Sequence, residues 1–279
     1  MHILRAFKNQ LEANGSMARV DVPLSRLRFG ETQRKDTWWL GPLVTFTVFS
    51  SFIVYATWAA FQGGHFLYGP YLSPLYSPLL WGGEQAWIAE HPKWIPAWIT
   101  VAMLILPFPG GFRLTCYYYR GAYYKAFWAD PPGCAVGEPR KSYLGERSFP
   151  LILQNVHRYF MYAALVFIVI LSWDVWQALW WRGTDGARHF GIGVGTIVML
   201  VNVVLLGSYT FGCHSLRHLV GGWMDKFSGR PVRKTAYDCV SWCNRRHMLF
   251  AWCSLFSVAL TDVYIRLCSM GIIHDWRIV

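Results

Sequence analysis

Apolar residues in this chain come in long unbroken runs. Five runs are long enough to cross a bilayer, at about 20 residues each. They cover Trp39 to Phe61, Trp94 to about Tyr119, His157 to about Trp180, Phe190 to about Cys213, and about His247 to Met270. The pattern predicts an all-α fold, an integral membrane bundle of five transmembrane helices. Pro107, Pro109, Gly110 and Gly111 interrupt the second run. Proline removes a helix donor, so a kink or wide turn is expected there. The stretch 63–93 is rich in Pro, Gly, Tyr and Trp (GPYLSPLYSPLLWGG) and is expected to fold along the membrane surface. No internal repeat or low-complexity tract is visible.

Composition agrees with the runs. The 279 residues are 54% apolar, 18% aromatic and 15% charged, whereas soluble domains carry about 25% charged residues. That is too little charge to cover a water-exposed surface. The net charge of +11 admits nucleic acid as a partner only if a soluble basic face exists, so membrane lipid is expected instead and nucleic acid is not. Twenty of the 26 basic residues fall in three segments, 1–38, 114–158 and 214–247. Lys93, Arg182, Arg188 and Arg277 lie on the other side. Basic loops stay in the cytoplasm, so the N-terminus is expected inside and the C-terminus outside, as five spans require. Trp38 and Trp39, and Trp176, Trp180 and Trp181, stand at span ends as interface anchors. The chain divides into a basic cytoplasmic N-terminal arm, 1–38, and a five-helix membrane anchor domain, 39–279. Residues 1–37 contain no apolar h-region, so the first span is expected to act as an uncleaved signal anchor. Seven cysteines without a secretory signature read as thiols or metal ligands rather than disulfides.

On this topology Cys116, His157, Cys213, His214, His218 and His247 fall at one depth, at the inner ends of four helices. Polar groups at membrane depth are costly and usually face the bundle interior, so a shared site is expected. Two cofactors use such ligands. Haem b takes two axial imidazoles; a Rieske-type [2Fe–2S] cluster takes two cysteines and two histidines. Cys116 and Cys213 would be idle beside a haem, which favours the cluster and leaves haem b as the alternative. The Cys-x-His and Cys-x-x-His loops of soluble Rieske proteins are absent, so helices would have to hold any cluster. Cys134, in the loop DPPGCAVGEP, reads as exposed before it reads as a ligand. Cys239, Cys243, Cys253 and Cys268 read as packing or surface residues, and His65, His91, His189 and His274 as solvated. His214 and His218 share a helix face and can serve a ligand, a quinone or a docking surface. In CYYYRGAYYKAFW most tyrosines read as an interface belt, with one or two able to reach a quinone carbonyl; Tyr118, Tyr119 and Arg120, with Ser215 nearby, are the quinone-binding candidates. Asp174 and Asp262 lie inside spans and either pair with a cation such as Arg266 or carry protons. Nucleotide-binding, hydrolase and HExxH motifs are absent. The chain reads as a relay or anchor with a basic dock for partners.

The strings FRLTCYYYRGAYYKAFW at 112–128, SFPLILQNVHRYFMYAA at 148–164, CHSLRH at 213–218 and RHMLFAW at 246–252 resemble the membrane anchor subunit of an actinobacterial-type succinate dehydrogenase (respiratory complex II). That class has a single five-helix anchor. The resemblance runs from about Trp38 to the C-terminus. It implies a subunit of the bacterial plasma membrane that joins a flavoprotein and an iron–sulfur subunit on its cytoplasmic face. Electrons from succinate would pass to menaquinone or ubiquinone. It also implies a Rieske-type [2Fe–2S] cluster within the anchor. Carried across residue by residue, it covers Cys116, His157, Cys213, His214, His218 and His247. One ligand per helix gives iron held by Cys116, His157, Cys213 and His247, with His214, His218 and Cys134 in reserve; no catalytic residue is assigned. The direction of catalysis and the number of complexes in an assembly stay open. A stand-alone haem b quinone oxidoreductase would need further histidine pairs on the opposite face. A transporter would need paired broken helices.

Overall fold

The computed structural model describes residues 28–129, 131–139, 149, 151–183, 186–222 and 226–279. Most of the arm, 1–27, lies outside them. The described part of the arm packs on the loop around residues 131–137, with Thr32 Oγ1 donating to the Ala135 carbonyl at 2.8 Å and Arg34 Nη1 to that of Cys134 at 3.0 Å.

Four described helices have the length and apolarity to cross a membrane. These are α1 (Leu40–Gln62), α5 (His157–Gln177, preceded by a 3₁₀ turn Leu151–Val156), α6 (Val194–Phe211) and α9 (His247–Ser269). Their bounds fall within a few residues of the apolar runs. Large apolar side chains stay exposed along them, among them Ile53, Val54, Val166, Val169, Val204 and Leu260. Such a surface suits lipid and not water.

The second run behaves differently. Trp94–Thr100 is not helical, and the rest is three short helices: α2 (Val101–Ile105), α3 (Pro107–Leu114) and α4 (Tyr117–Tyr123), the last running on into a π-helical turn, Tyr124–Trp128. Pro107 opens α3, where its missing N–H costs nothing. Gly111 has a packing reason: a Cβ there would land on the Phe160 ring of α5. Together α2 and α3 make an apolar path of only Val101–Leu114, about 21 Å long. α7 (His214–Gly221) and α8 (Pro231–Arg245) join α6 to α9.

Two small hairpins qualify the all-α expectation: β1 (Leu67–Tyr68) with β2 (Tyr71–Leu72), and β3 (Trp180–Arg182) with β4 (Arg188–Phe190). The first belongs to the stretch 63–93, of which only the first part leaves the surface: Tyr71, Leu72, Ser73, Leu75, Tyr76, Ser77 and Leu79 are almost wholly buried and plug the bundle, while Trp87 and Ile88 stay exposed. Polar partners inside the bundle draw it in. Ser73 donates to Asp262 and Ser77 to Asp174, and Tyr76 OH donates to the Ala59 carbonyl at 2.8 Å. Tyr71 OH donates to Asp275 at 2.8 Å, and the other Asp275 oxygen accepts Tyr264 OH at 2.6 Å and the Gly195 N–H at 2.9 Å. A periodicity reading cannot see these partners, because each is distant in sequence. Of the two intramembrane carboxylates, Asp262 pairs with Arg266 at 2.7 Å. His91, expected in solvent, is half-buried against Trp81.

Candidate metal centre

α6 and the α3–α4 path break in the same way. After Leu114 the chain leaves helix at Thr115–Cys116, and after Phe211 at Gly212–Cys213. Each cysteine then heads a new helix in nearly the same extended backbone, φ −64°, ψ 130° at Cys116 and φ −63°, ψ 134° at Cys213. Each carbonyl accepts the N–H four residues on, from Arg120 at 2.9 Å and Arg217 at 3.1 Å. Both cysteines are buried. Opposite them, His157 and His247 are the first residues of α5 and α9.

These four residues form two thiol–imidazole pairs. His157 Nε2 lies 3.0 Å from Cys213 Sγ, and His247 Nε2 lies 3.4 Å from Cys116 Sγ. The pairs are neighbours: Cys116 is within electrostatic reach of Cys213, and His157 of His247. All four line one cavity of about 570 Å³, with Thr115, Tyr118, Gln154, Ser215 and Asn244. Among the described residues, no three of the His, Cys, Asp or Glu side chains converge as a mononuclear metal site would require. The arrangement is two and two.

Hydrogen bonds fix one tautomer. Thr115 has a single hydroxyl proton and donates it to the Gly111 carbonyl at 2.7 Å. Its contact with His157 Nδ1 at 2.9 Å must then be accepted from the ring N–H. The proton sits on Nδ1, and Nε2 presents its lone pair to the Cys213 side. A metal-ligating imidazole is held this way by its surroundings. His247 is set differently. Its Nδ1 is buried and without a partner among the described residues. Stacking holds both rings: Phe112 lies 4.9 Å from His157 at 9°, and Tyr209 lies 4.9 Å from His247 at 15°.

Gly212 lets His247 come this close. A Cβ there would stand 2.9 Å from His247 Nδ1 and 3.0 Å from two backbone oxygens, of Cys243 and Ser208. The carbonyls cannot yield as a side-chain tip could. Gly212→Ala is therefore expected to displace His247. If the site holds the expected cofactor, its content per polypeptide should fall several-fold while the chain still reaches the membrane; unchanged content would refute the expectation.

A family model of the actinobacterial succinate dehydrogenase subunit SdhC matches residues 40–271. The chain belongs to that family. A solved structure described as the Mycobacterium smegmatis Sdh1 complex in the apo form contains a chain that is 43% identical, with a TM-score of 0.77. The match covers 89% of this chain and 94% of that one. No curated protein matches. This SdhC-family protein is thus a membrane anchor subunit of a succinate dehydrogenase, an oxidoreductase complex.

Within this SdhC-family chain the structure brings together Cys116, His157, Cys213 and His247. His214 lines the same cavity but is exposed and turned to His218, with Nε2 atoms 3.0 Å apart. Partial burial, then His218 and Arg217, hold the His214 imidazole below its ordinary value. Cys134 is exposed, on the loop beside Arg34, and does not line the cavity. Tyr118 and Ser215 line it, with Tyr118 OH accepting from Trp252 Nε1 at 2.7 Å. Tyr119 is buried and donates to the Ala251 carbonyl at 2.5 Å, and Arg120 reaches Gln154 at 2.7 Å. Sequence reasoning missed Thr115, Gly212, Phe112, Arg113 and Tyr209. Thr115 and Gly212 were findable, because each precedes a cysteine at a helix break.

Proposed function

We propose that this anchor passes electrons from an iron–sulfur subunit to membrane quinone through a Rieske-type [2Fe–2S] cluster held by Cys116, Cys213, His157 and His247. The observation that carries the reading is the meeting of two thiols and two imidazoles, each on a different helical segment, in one cavity. The donor set fits a two-iron centre with two ligands per iron; a mononuclear site would call for three or four on one point. Bis-imidazole haem is the weaker reading, because each Nε2 faces a thiol. When bound, such a cluster supplies one-electron transfer at a potential raised by imidazole ligation. Thr115 keeps the His157 proton on Nδ1, Phe112 and Tyr209 hold the two rings, and the burial of Cys116 and Cys213 keeps water from the thiols.

The remaining assignments follow from the charge pattern and the family. The chain crosses a bacterial plasma membrane five times, with α2–α3 as the broken crossing, and its N-terminus is cytoplasmic. The basic end that carries Cys116, His157, Cys213 and His247 docks the flavoprotein and iron–sulfur subunits. Succinate gives up two electrons and two protons to become fumarate, and quinone takes up two electrons and two protons to become quinol.

Iron and acid-labile sulfide in the purified complex test the ligand set. Cys116→Ser is expected to lower both by two per complex, relative to the unsubstituted complex. Unchanged iron and sulfide would contradict the assignment.

A further inference from the structure

The two intramembrane carboxylates are equipped differently. Asp262 is fully buried and has Arg266, Tyr55 and Ser73 around it. Asp174, only 7% exposed, has the Ser77 hydroxyl on Oδ2, and no described cation pairs with it. Its Oδ1 has no donor among the described residues. Buried charges are normally paired, so this carboxylate is short of a cation.

Asp174 lines a polar cleft of about 440 Å³ between the plug and the β3–β4 hairpin. α5 begins at His157 and carries Asp174 in its last turn, so the cleft lies at the end of the bundle away from the Cys/His centre. Gln177, Trp87, Trp173 and Trp180 also line it. Depth sorts its charges. Asp174 is at the floor, and Arg182 and Arg188 are exposed at the rim. The two arginines stand directly opposite one another on β3 and β4, where like charges repel. Glu84 offsets Arg182 at 2.9 Å; Arg188 has no carboxylate among the described residues.

Next to the cleft, α5 shows lipid an apolar stripe. Trp173, Val169 and Val166 follow one another at helical spacing, and all three are exposed. A ligand that matches these features has a cation for the floor, an anion for the rim and an apolar tail for the stripe. Tryptophan faces suit ammonium groups, and tryptophan gathers at headgroup depth in a bilayer. We propose that the cleft holds the headgroup of a phosphatidylethanolamine, with its ammonium donating to Asp174 Oδ1, its phosphate accepting from Arg188, and its acyl chains lying along Trp173, Val169 and Val166. A primary ammonium is required, because a trimethylammonium group has no N–H to donate to Asp174.

The test uses the whole complex, purified in mild detergent and stripped of lipid. Native mass spectrometry follows the binding of phosphatidylethanolamine, phosphatidylcholine and phosphatidylglycerol, all with dioleoyl chains. A single phosphatidylethanolamine is expected at the site, held about tenfold or more tightly than either of the others. Asp174→Asn keeps an acceptor for Ser77 and removes the charge. Arg188→Gln changes an exposed rim residue and leaves the plug untouched. Each should weaken phosphatidylethanolamine binding by about tenfold or more. Phosphatidylcholine or phosphatidylglycerol bound as tightly by the unsubstituted complex, or unchanged binding in either variant, would overturn the proposal. So would a thermal shift from soluble O-phosphoethanolamine as large as that from dihexanoyl phosphatidylethanolamine, because the occupant would then be a soluble zwitterion and not a lipid.

Discussion

Cys213→Ala is expected to leave a complex that oxidises succinate with a soluble dye at the normal rate but reduces quinone about 100-fold more slowly or worse. The reason is local. Cys213 is buried at the head of α7, and its thiol meets His157 Nε2 at 3.0 Å. Removing it leaves a lone-pair imidazole facing a methyl group, and the ligand set loses one of its two thiols. Changes to groups that merely support ligands cost 10–100-fold, so loss of a ligand should cost at least the upper figure. On the proposed division of labour succinate oxidation belongs to partner subunits and should not respond. Cys239→Ala is the control, because Cys239 is exposed on α8 and does not line the cavity. If Cys213→Ala reduced quinone at the unsubstituted rate, Cys213 would not be a ligand.

The second large effect concerns folding. Arg266→Met should lower stability by about 3–5 kcal/mol, because it strands Asp262 as an unpaired buried charge. The Asp262 side chain is fully buried and that of Arg266 is 4% exposed. Arg266 donates to Asp262 Oδ2 at 2.7 Å and to the carbonyls of Gly64 at 2.9 Å and Ala59 at 3.2 Å. Asp262 in turn accepts Tyr55 OH at 2.5 Å and the Ser73 hydroxyl. The pair thus ties α9 to α1 and to the plug. Total stabilities are about 5–15 kcal/mol, so the loss is a large fraction of what holds the chain. The thermal midpoint in detergent should drop, and protease should reach 66–79 sooner. Changing both partners, Asp262→Leu with Arg266→Met, should cost less than the single change, since no bare charge remains. A single variant with an unaltered midpoint would show that the pair contributes nothing net.

Four spans were legible because their apolar runs are continuous and periodicity needs no partner information. The broken second run was legible as a defect, from Pro107, Pro109, Gly110 and Gly111, but not as three helices with a non-helical approach. The plug was not legible. Tyr71, Ser73 and Ser77 look like surface-loop residues until Asp275, Asp262 and Asp174 are placed against them. At the candidate centre, position along four spans was enough to bring Cys116, His157, Cys213 and His247 to one level. Which thiol faces which imidazole was beyond reach, because helix rotation is set by packing such as Gly111 on Phe160.

Low-temperature EPR on the purified complex, first oxidised and then reduced with succinate or dithionite, tests the central claim most directly. The account predicts a rhombic signal of low average g in the reduced state, additional to those of the iron–sulfur subunit and missing in Cys213→Ala. A low-spin ferric signal in the oxidised sample, with no such rhombic signal on reduction, would contradict it and identify a bis-histidine haem.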